Sequence, residues 1–372
     1  MKKLSLILTS VLCSVMYLFL SCGKPNQNWS SDMCHGSYCY QGMNAYPSSI
    51  SFELTAKQKE YLEKALLSVD FENIKYNLYT LASDEFEGRG TGYPGDLKAS
   101  EFIVNYFKTW DIKGAYGTDN YLQKFSVNVG RKYSYNVVGY LEGQDVNYKN
   151  EVIVIGAHYD HLGKSGSKIY YGADDNASGT AGLMEIAKAF ASIKEGLKRT
   201  LVFIAFSGEE LGLIGSKYQV QNPFFKLDDT KYMINLDMIG YLRNKKLYFL
   251  GGGMYSFMEN LIKEISANYA DEITPYITST PGSGSDHVSY SNKGIPTLFL
   301  HTGLHSYYHT TADTPDKINY EGLETTVKVA IEIIWRLNQV NNLTKPQSII
   351  IDNHLDKYDH GVFQFPVSII QN

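Results

Sequence analysis

The stretch "TLVFIAFSGEELGLIGS", Thr200 to Ser216, runs from an unbroken strand-like segment through a polar turn into a second apolar run. A strand without polar alternation is one buried on both faces, as in a parallel sheet covered by helices. Where that strand gives out, two glutamates stand side by side, Glu209 and Glu210. Adjacency alone says little. With 39 Asp+Glu in 372 residues, about four acidic doublets arise by chance. The chain has five: Asp84-Glu85, Asp174-Asp175, Glu209-Glu210, Asp228-Asp229 and Asp271-Glu272. The ordinary reading of one doublet is a solvated turn, so the surrounding pattern has to decide.

Outward from this stretch, strands alternate with helices. "YNVVGYLEG", "EVIVIGAHY", "YMINLDMI" and "IPTLFLHT" read as strands. "NASGTAGLMEIAKAFASI", "ELGLIGSKYQV", "MYSFMENLIKEISANY" and "GLETTVKVAIEIIWRLNQV" read as helices. Nearer the N-terminus, "TAKQKEYLEKALLSV" predicts a helix capped by Thr55, and Phe71 to Leu81 a second. "DLKASEFIVNYFKTW" predicts a third, with Ala99, Phe102, Ile103 and Phe107 on one face. "DEFEGRGTGYPGD" is a loop; it lacks the Gly-Lys-Ser/Thr ending of a phosphate loop. The pattern predicts an α/β fold, a mainly parallel mixed central sheet with helices on both faces.

In such sheets binding sites form beyond the carboxyl ends of the strands. After "EVIVIGA" come His158 and Asp160. "GADDNASG" carries Asp174 and Asp175 just before a helix. Glu209 and Glu210 follow "TLVFIAF", and Asp237 ends "YMINLD". The last strand runs into "GLHSYYHTTADT", with His305 and His309. Charge at buried strand ends is costly unless paired or bound to metal. Histidines with carboxylates form a nitrogen and oxygen donor set suited to catalytic zinc. The carboxylates are too many for one ion, but a bridging carboxylate would use them in a two-metal clamp.

"GAHYDHLG", "GADDNASG", "FSGEELGLIGS", "NLDM" and "YHTTADT", in this order, resemble the motifs of the di-zinc aminopeptidase family. That family includes secreted bacterial leucyl aminopeptidases, with glutamate carboxypeptidase and glutaminyl cyclase as more distant members. The resemblance covers roughly residues 70 to 340 and implies the three-layer zinc exopeptidase fold. It implies that His158 and Asp237 hold one zinc, that Glu210 and His309 hold the other, and that Asp175 bridges them. It further implies that Asp160 orients His158 and that Glu209 takes a proton from a water bridging the two zinc ions and passes it to the leaving amine. The implied activity is removal of N-terminal residues from peptides with a free amine. A carboxypeptidase or dipeptidase, a glutaminyl cyclase and a non-catalytic binding module are the alternatives on this framework.

Other residues near these motifs have two readings each. Asp286, in "SDH", is expected to touch substrate or support the ligands. His305 lines the cleft or does not. Tyr307 and Tyr308 contact substrate or pack in the core. His287 lines the cleft or supports a helix start. His161 is expected to be solvated or to sit outside the ligand shell, and Asp174 to cap the following helix.

Lys2 and Lys3 precede an apolar run, Leu4 to Ser21, which reads as an export signal over 1–21. Ser21-Cys22 resembles a bacterial lipobox, from which Phe19 departs; the alternative is an uncleaved anchor. Cleavage before Cys22 and lipidation would give an exported lipoprotein of the bacterial cell envelope, held to a periplasmic or outer-membrane surface. Residues 22–52 read as a tether, 53–345 as the peptidase domain, and 346–372 as a C-terminal extension packing on it. Cys34 and Cys39 form a local disulfide, stay as free thiols, or join His35 at a metal. The net charge of -5 gives no electrostatic case for nucleic acid.

Overall fold

A computed structural model of the chain describes residues 50–117 and 119–343. The expected export segment 1–21, Cys22, the expected tether up to residue 49, Cys34 with Cys39, and the expected 346–372 extension lie outside the described residues.

Two helices open the described chain: α1 (Ala56–Leu67) and α2 (Phe71–Leu81). Thr55 caps α1 in a reciprocal box with Gln58, and Asp70 caps α2 through the N–H groups of Glu72 and Asn73. A short 3-10 segment, Asp84–Arg89, leads to α3 (Pro94–Thr109). The edge strands β1 (Lys113–Gly114) and β2 (Leu122–Ser126) precede β3 (Tyr133–Leu141) and β4 (Val152–His158). A small hairpin, β5 (Lys164–Ser165) and β6 (Lys168–Ile169), interrupts the path to α4 (Gly179–Ala191). Then come β7 (Thr200–Phe206), α5 (Ile214–Gln221), β8 (Thr230–Leu236), β9 (Lys246–Leu250), α6 (Ser256–Ala267), β10 (Thr274–Ile277), α7 (His287–Ser291), β11 (Thr297–His301) and α8 (Tyr320–Gln339).

The main sheet is ordered β1-β3-β7-β4-β8-β11-β9-β10, with β2 also paired to β3. Its centre, β7-β4-β8-β11, is parallel, and antiparallel pairings flank it at β3–β7 and β9–β11. Alternate side chains of the central strands enter different cores. Ile153, Ile155 and Ala157 of β4 join the larger one, shared with α1, α2, α3, α4, α6 and α8. Val152 and Val154 join a smaller one with Val220 of α5 and Tyr290 of α7. The larger core includes Ile331, Ile334, Trp335 and Leu337 of α8 without solvent exposure; each such side chain contributes roughly 1.5–3 kcal/mol.

The chain passes from β4 to β7 on one side and returns to β8 on the other, so β4 lies at a topological switch point. The crevice beyond its carboxyl end is where an open α/β sheet places a ligand.

Candidate metal centre

The four central strands deliver their following residues to one place. His158 ends β4, Glu209 and Glu210 occupy the turn between β7 and α5, Asp237 follows β8 directly, and His309 lies in the loop after β11. Asp174 and Asp175 come from the irregular turn Ala173–Ser178 that leads into α4. Gly172 adopts a left-handed backbone there; a Cβ on it would stand 2.5 Å from the His161 ring. Only glycine lets this turn approach so closely.

Asp175 sits between two clusters of donors. Its Oδ1 lies 3.4 Å from His158 Nε2, which is itself 3.4 Å from Asp237 Oδ1. Its Oδ2 lies 3.1 Å from His309 Nε2, which is 3.3 Å from Glu210 Oε2. The five residues inferred to be ligands are therefore brought together, three to a cluster, with Asp175 common to both. A tetrahedral ion with bonds of about 2.0–2.1 Å holds its donors about 3.3–3.4 Å apart. Asp175 Oδ2 and Asp237 Oδ1 are buried without a hydrogen-bond partner among the described residues. Lone pairs left free at that spacing fit a metal ion.

The surrounding groups fix the carboxylates. Asp160 accepts the backbone N–H of Glu209 at 3.2 Å and of Glu210 at 3.4 Å, and the Thr91 hydroxyl at 2.6 Å. Its carboxylate is 3.6 Å from His158 Nδ1, whereas its backbone carbonyl is 3.1 Å away. The expected carboxylate–imidazole contact is thus made at closer range by the carbonyl, because the carboxylate turns toward the Glu209–Glu210 turn. Asp313 accepts the N–H groups of Asp174 and Asp175 at 2.9 and 3.1 Å. Arg89, wholly buried, donates to the carbonyls of Leu81, Tyr159, Tyr171 and Gly172. It ties the end of β4 to the turn carrying Asp175. Neither Asp313 nor Arg89 was singled out in the sequence; a lone arginine in a glycine loop has no distinguishing pattern.

The remaining candidates separate. Asp174 caps no helix; its carboxylate takes the Gly240 N–H at 2.7 Å and the Ser178 hydroxyl at 3.1 Å. His305 is buried, with its Nε2 2.9 Å from the Asp174 carboxylate. Tyr308 stacks on the His309 ring at 3.8 Å. Asp286 is fully buried just before α7. His287 is buried against Phe299, ring to ring at 4.6 Å. His161, expected outside the ligand shell, is buried with Nδ1 2.9 Å from Glu210 Oε1 and 3.6 Å from Asp175 Oδ2.

Burial disfavours charge on all these groups, and their neighbours decide the outcome. For His158 burial is outweighed by Asp237 and Glu209, which lift its pKa well above the usual value. His309 rises to about 10 against burial, through Asp175 and Glu210. Burial would raise Glu210, but hydrogen bonds to His161 and His309 hold it well below the carboxylate range. Burial raises Glu209 well above that range against the opposing charge of His158, and the charges of Glu210, Asp286 and Asp237 add to the rise. Burial pushes Asp286 up to about 7, opposed by His158. Two adjacent glutamates are thus driven in opposite directions.

The family model Peptidase family M28 matches residues 136–334. The chain belongs to peptidase family M28. The M28 match runs from β3 into α8 and takes in both donor clusters. Aminopeptidase YwaD of Bacillus subtilis strain 168 is 28% identical over 226 residues, 58% of this chain and 47% of that protein. The chain therefore matches about half the length of that relative. Leucine aminopeptidase 1 of Fusarium vanettenii is 24% identical over 311 residues, 78% of this chain and 76% of that one. Among solved M28-like folds, BSAP, a zinc aminopeptidase from Bacillus subtilis, superposes with a TM-score of 0.59 at 17% identity, covering 72% of this chain and 95% of its own. At that identity the likeness is one of fold.

Proposed function

We propose that this chain is a zinc aminopeptidase that removes N-terminal residues from peptides at a pair of metal ions. The observation that carries the reading is Asp175, whose two oxygens face separate histidine and carboxylate clusters. His158, Asp175 and Asp237 would hold one ion; Asp175, Glu210 and His309 would hold the other. Nitrogen and oxygen donors without cysteine suit catalytic zinc. Bound zinc supplies Lewis acidity, which lowers the pKa of water and polarises the scissile carbonyl.

Glu209 takes the proton from the attacking water and delivers it to the leaving amine. Glu209 lies beside Glu210 yet belongs to neither donor cluster, which leaves its carboxylate for proton transfer. The hydrogen bond from its N–H to Asp160 holds its backbone while Glu210, one residue on, turns to the donor cluster. The excess of carboxylates favours a substrate's cationic α-amine. A C-terminal carboxylate would need a cation, and Arg89 beside the cluster is buried with its donors on backbone carbonyls. This supports an aminopeptidase over a carboxypeptidase on the same framework.

The test is hydrolysis of aminoacyl-anilides with free and acetylated N-termini. Cleavage of the free-amine substrates alone is expected. Cleavage from the carboxyl end, or cyclisation of N-terminal glutamine without hydrolysis, would move the function to one of the alternatives. The export segment and Cys22 support a further proposal, a lipid-anchored envelope protein. Metabolic labelling with palmitate and a Cys22→Ser variant that loses both label and membrane association would bear it out; an unlabelled protein would refute it.

A further inference from the structure

We propose that His161 is a fourth protein ligand of the ion held by Asp175, Glu210 and His309, an inference that rests on the metal-centre reading above. The His161 ring is buried, and its Nδ1 is directed at the same two carboxylates as His309 Nε2. It stands 2.9 Å from Glu210 Oε1 and 3.6 Å from Asp175 Oδ2; the corresponding His309 distances are 3.3 Å to Glu210 Oε2 and 3.1 Å to Asp175 Oδ2. The two imidazole rings stand edge to face, with centroids 5.8 Å apart and planes inclined by 64°. These histidine-to-carboxylate spacings scatter around the donor separation of a tetrahedral ion, about 3.3–3.4 Å, and His161, Asp175 and Glu210 offer donor atoms that all lie within 4.8 Å of one another. A group placed only to hydrogen-bond Glu210 from outside would not also point its nitrogen at the bridging carboxylate.

The ring has little freedom to turn away. Its backbone N–H donates to the Arg89 carbonyl at 3.2 Å, and Gly172 passes so close that a Cβ there would meet the ring at 2.5 Å. Nε2 is buried without a hydrogen-bond partner among the described residues, and Nδ1 is the nitrogen that faces the carboxylates. The consequence would be an asymmetric pair, in which His161, Asp175, Glu210 and His309 would give one ion four protein donors and His158, Asp175 and Asp237 would give the other three. The ion with more protein donors would bind more tightly.

The first test is X-ray absorption at the zinc edge of the zinc-loaded full chain. Three imidazoles shared over two ions are expected; two imidazoles over two ions would overturn the inference while leaving the metal-centre reading intact, and a protein that binds no zinc would overturn both. The second is competitive zinc titration of His161→Ala and His161→Asn. Asparagine keeps an amide donor near the Nδ1 position but replaces the imidazole. Both variants are expected to weaken the tighter ion by more than about a hundredfold, beyond the range of residues that act behind a ligand, and to leave the weaker ion unchanged. Wild-type affinity in His161→Asn would show that the residue only hydrogen-bonds Glu210 and would overturn the proposal.

Discussion

The Asp160 carboxylate accepts the backbone N–H of Glu209 at 3.2 Å, linking the chain beyond β4 to the turn beyond β7. The same carboxylate takes the N–H of Glu210 and the Thr91 hydroxyl. Asp160→Ala removes all of these acceptors from a buried position. It is expected to weaken zinc binding and kcat/KM by roughly tenfold to a hundredfold, the range for groups that hold ligands in place. Asp160→Asn, which keeps one acceptor oxygen, should fall between. Wild-type zinc affinity and kinetics in Asp160→Ala would remove the residue from the account.

Glu209 and Glu210 are adjacent but differ in what they face. Glu210 pairs with His309 and His161, whereas Glu209 belongs to neither donor cluster. Glu209→Gln should keep both metals and lower kcat by roughly a hundredfold to ten-thousandfold, with little change in thermal stability. Turnover at the wild-type rate would show that another group moves the proton.

Arg89 supports four carbonyls, those of Leu81, Tyr159 and Gly172 through buried hydrogen bonds and that of Tyr171 through a part-buried one. Arg89→Met leaves them unpaired and should destabilise the domain by about 3 kcal/mol or more, read as a lower Tm with looser zinc binding. An unchanged Tm would mean that the carbonyls find other donors.

Metal affinity should fall with acid in a way the imidazoles dictate. In the metal-free protein His158 is raised well above its usual pKa and His309 to about 10, in both cases against burial. Zinc binds neutral imidazole. Below pH 10 it must displace the His309 proton, so the apparent Kd should rise about tenfold per pH unit for each proton displaced. The sign for stability follows from the same shift. His309 stabilises the metal-free fold fully below its unfolded value of 6.5, and that contribution is lost as pH climbs through about 10. Zinc titrations between pH 6 and 9 with proton-release measurements check the sign; a pH-independent Kd would contradict it.

The sheet was legible because its central strands are apolar throughout: "TLVFIAF" is β7 residue for residue, and Phe71 to Leu81 is α2. The short outer strands were not. β10 is a four-residue segment with alternating partial exposure and a proline, and β9 is only five residues long. Their partners, not their own residues, make them strands. The same divide runs through the site. Residues that end strands announce themselves by charge after an apolar run, which is how His158, Glu210 and Asp237 stood out. Asp313 and Arg89 act on backbone groups far away in sequence, and such contacts leave no local pattern. His161 lay within a quoted motif, yet only the approach of the Gly172 turn shows that its ring is enclosed.

The most direct test of the central claim is the zinc content of the purified soluble chain from residue 23, by elemental analysis, beside that of Asp175→Ala. Because Asp175 faces both clusters, two zinc ions per wild-type chain and loss of tight binding at both positions in the variant are expected. One ion in the wild type, or two tightly held ions in Asp175→Ala, would contradict a carboxylate-bridged pair.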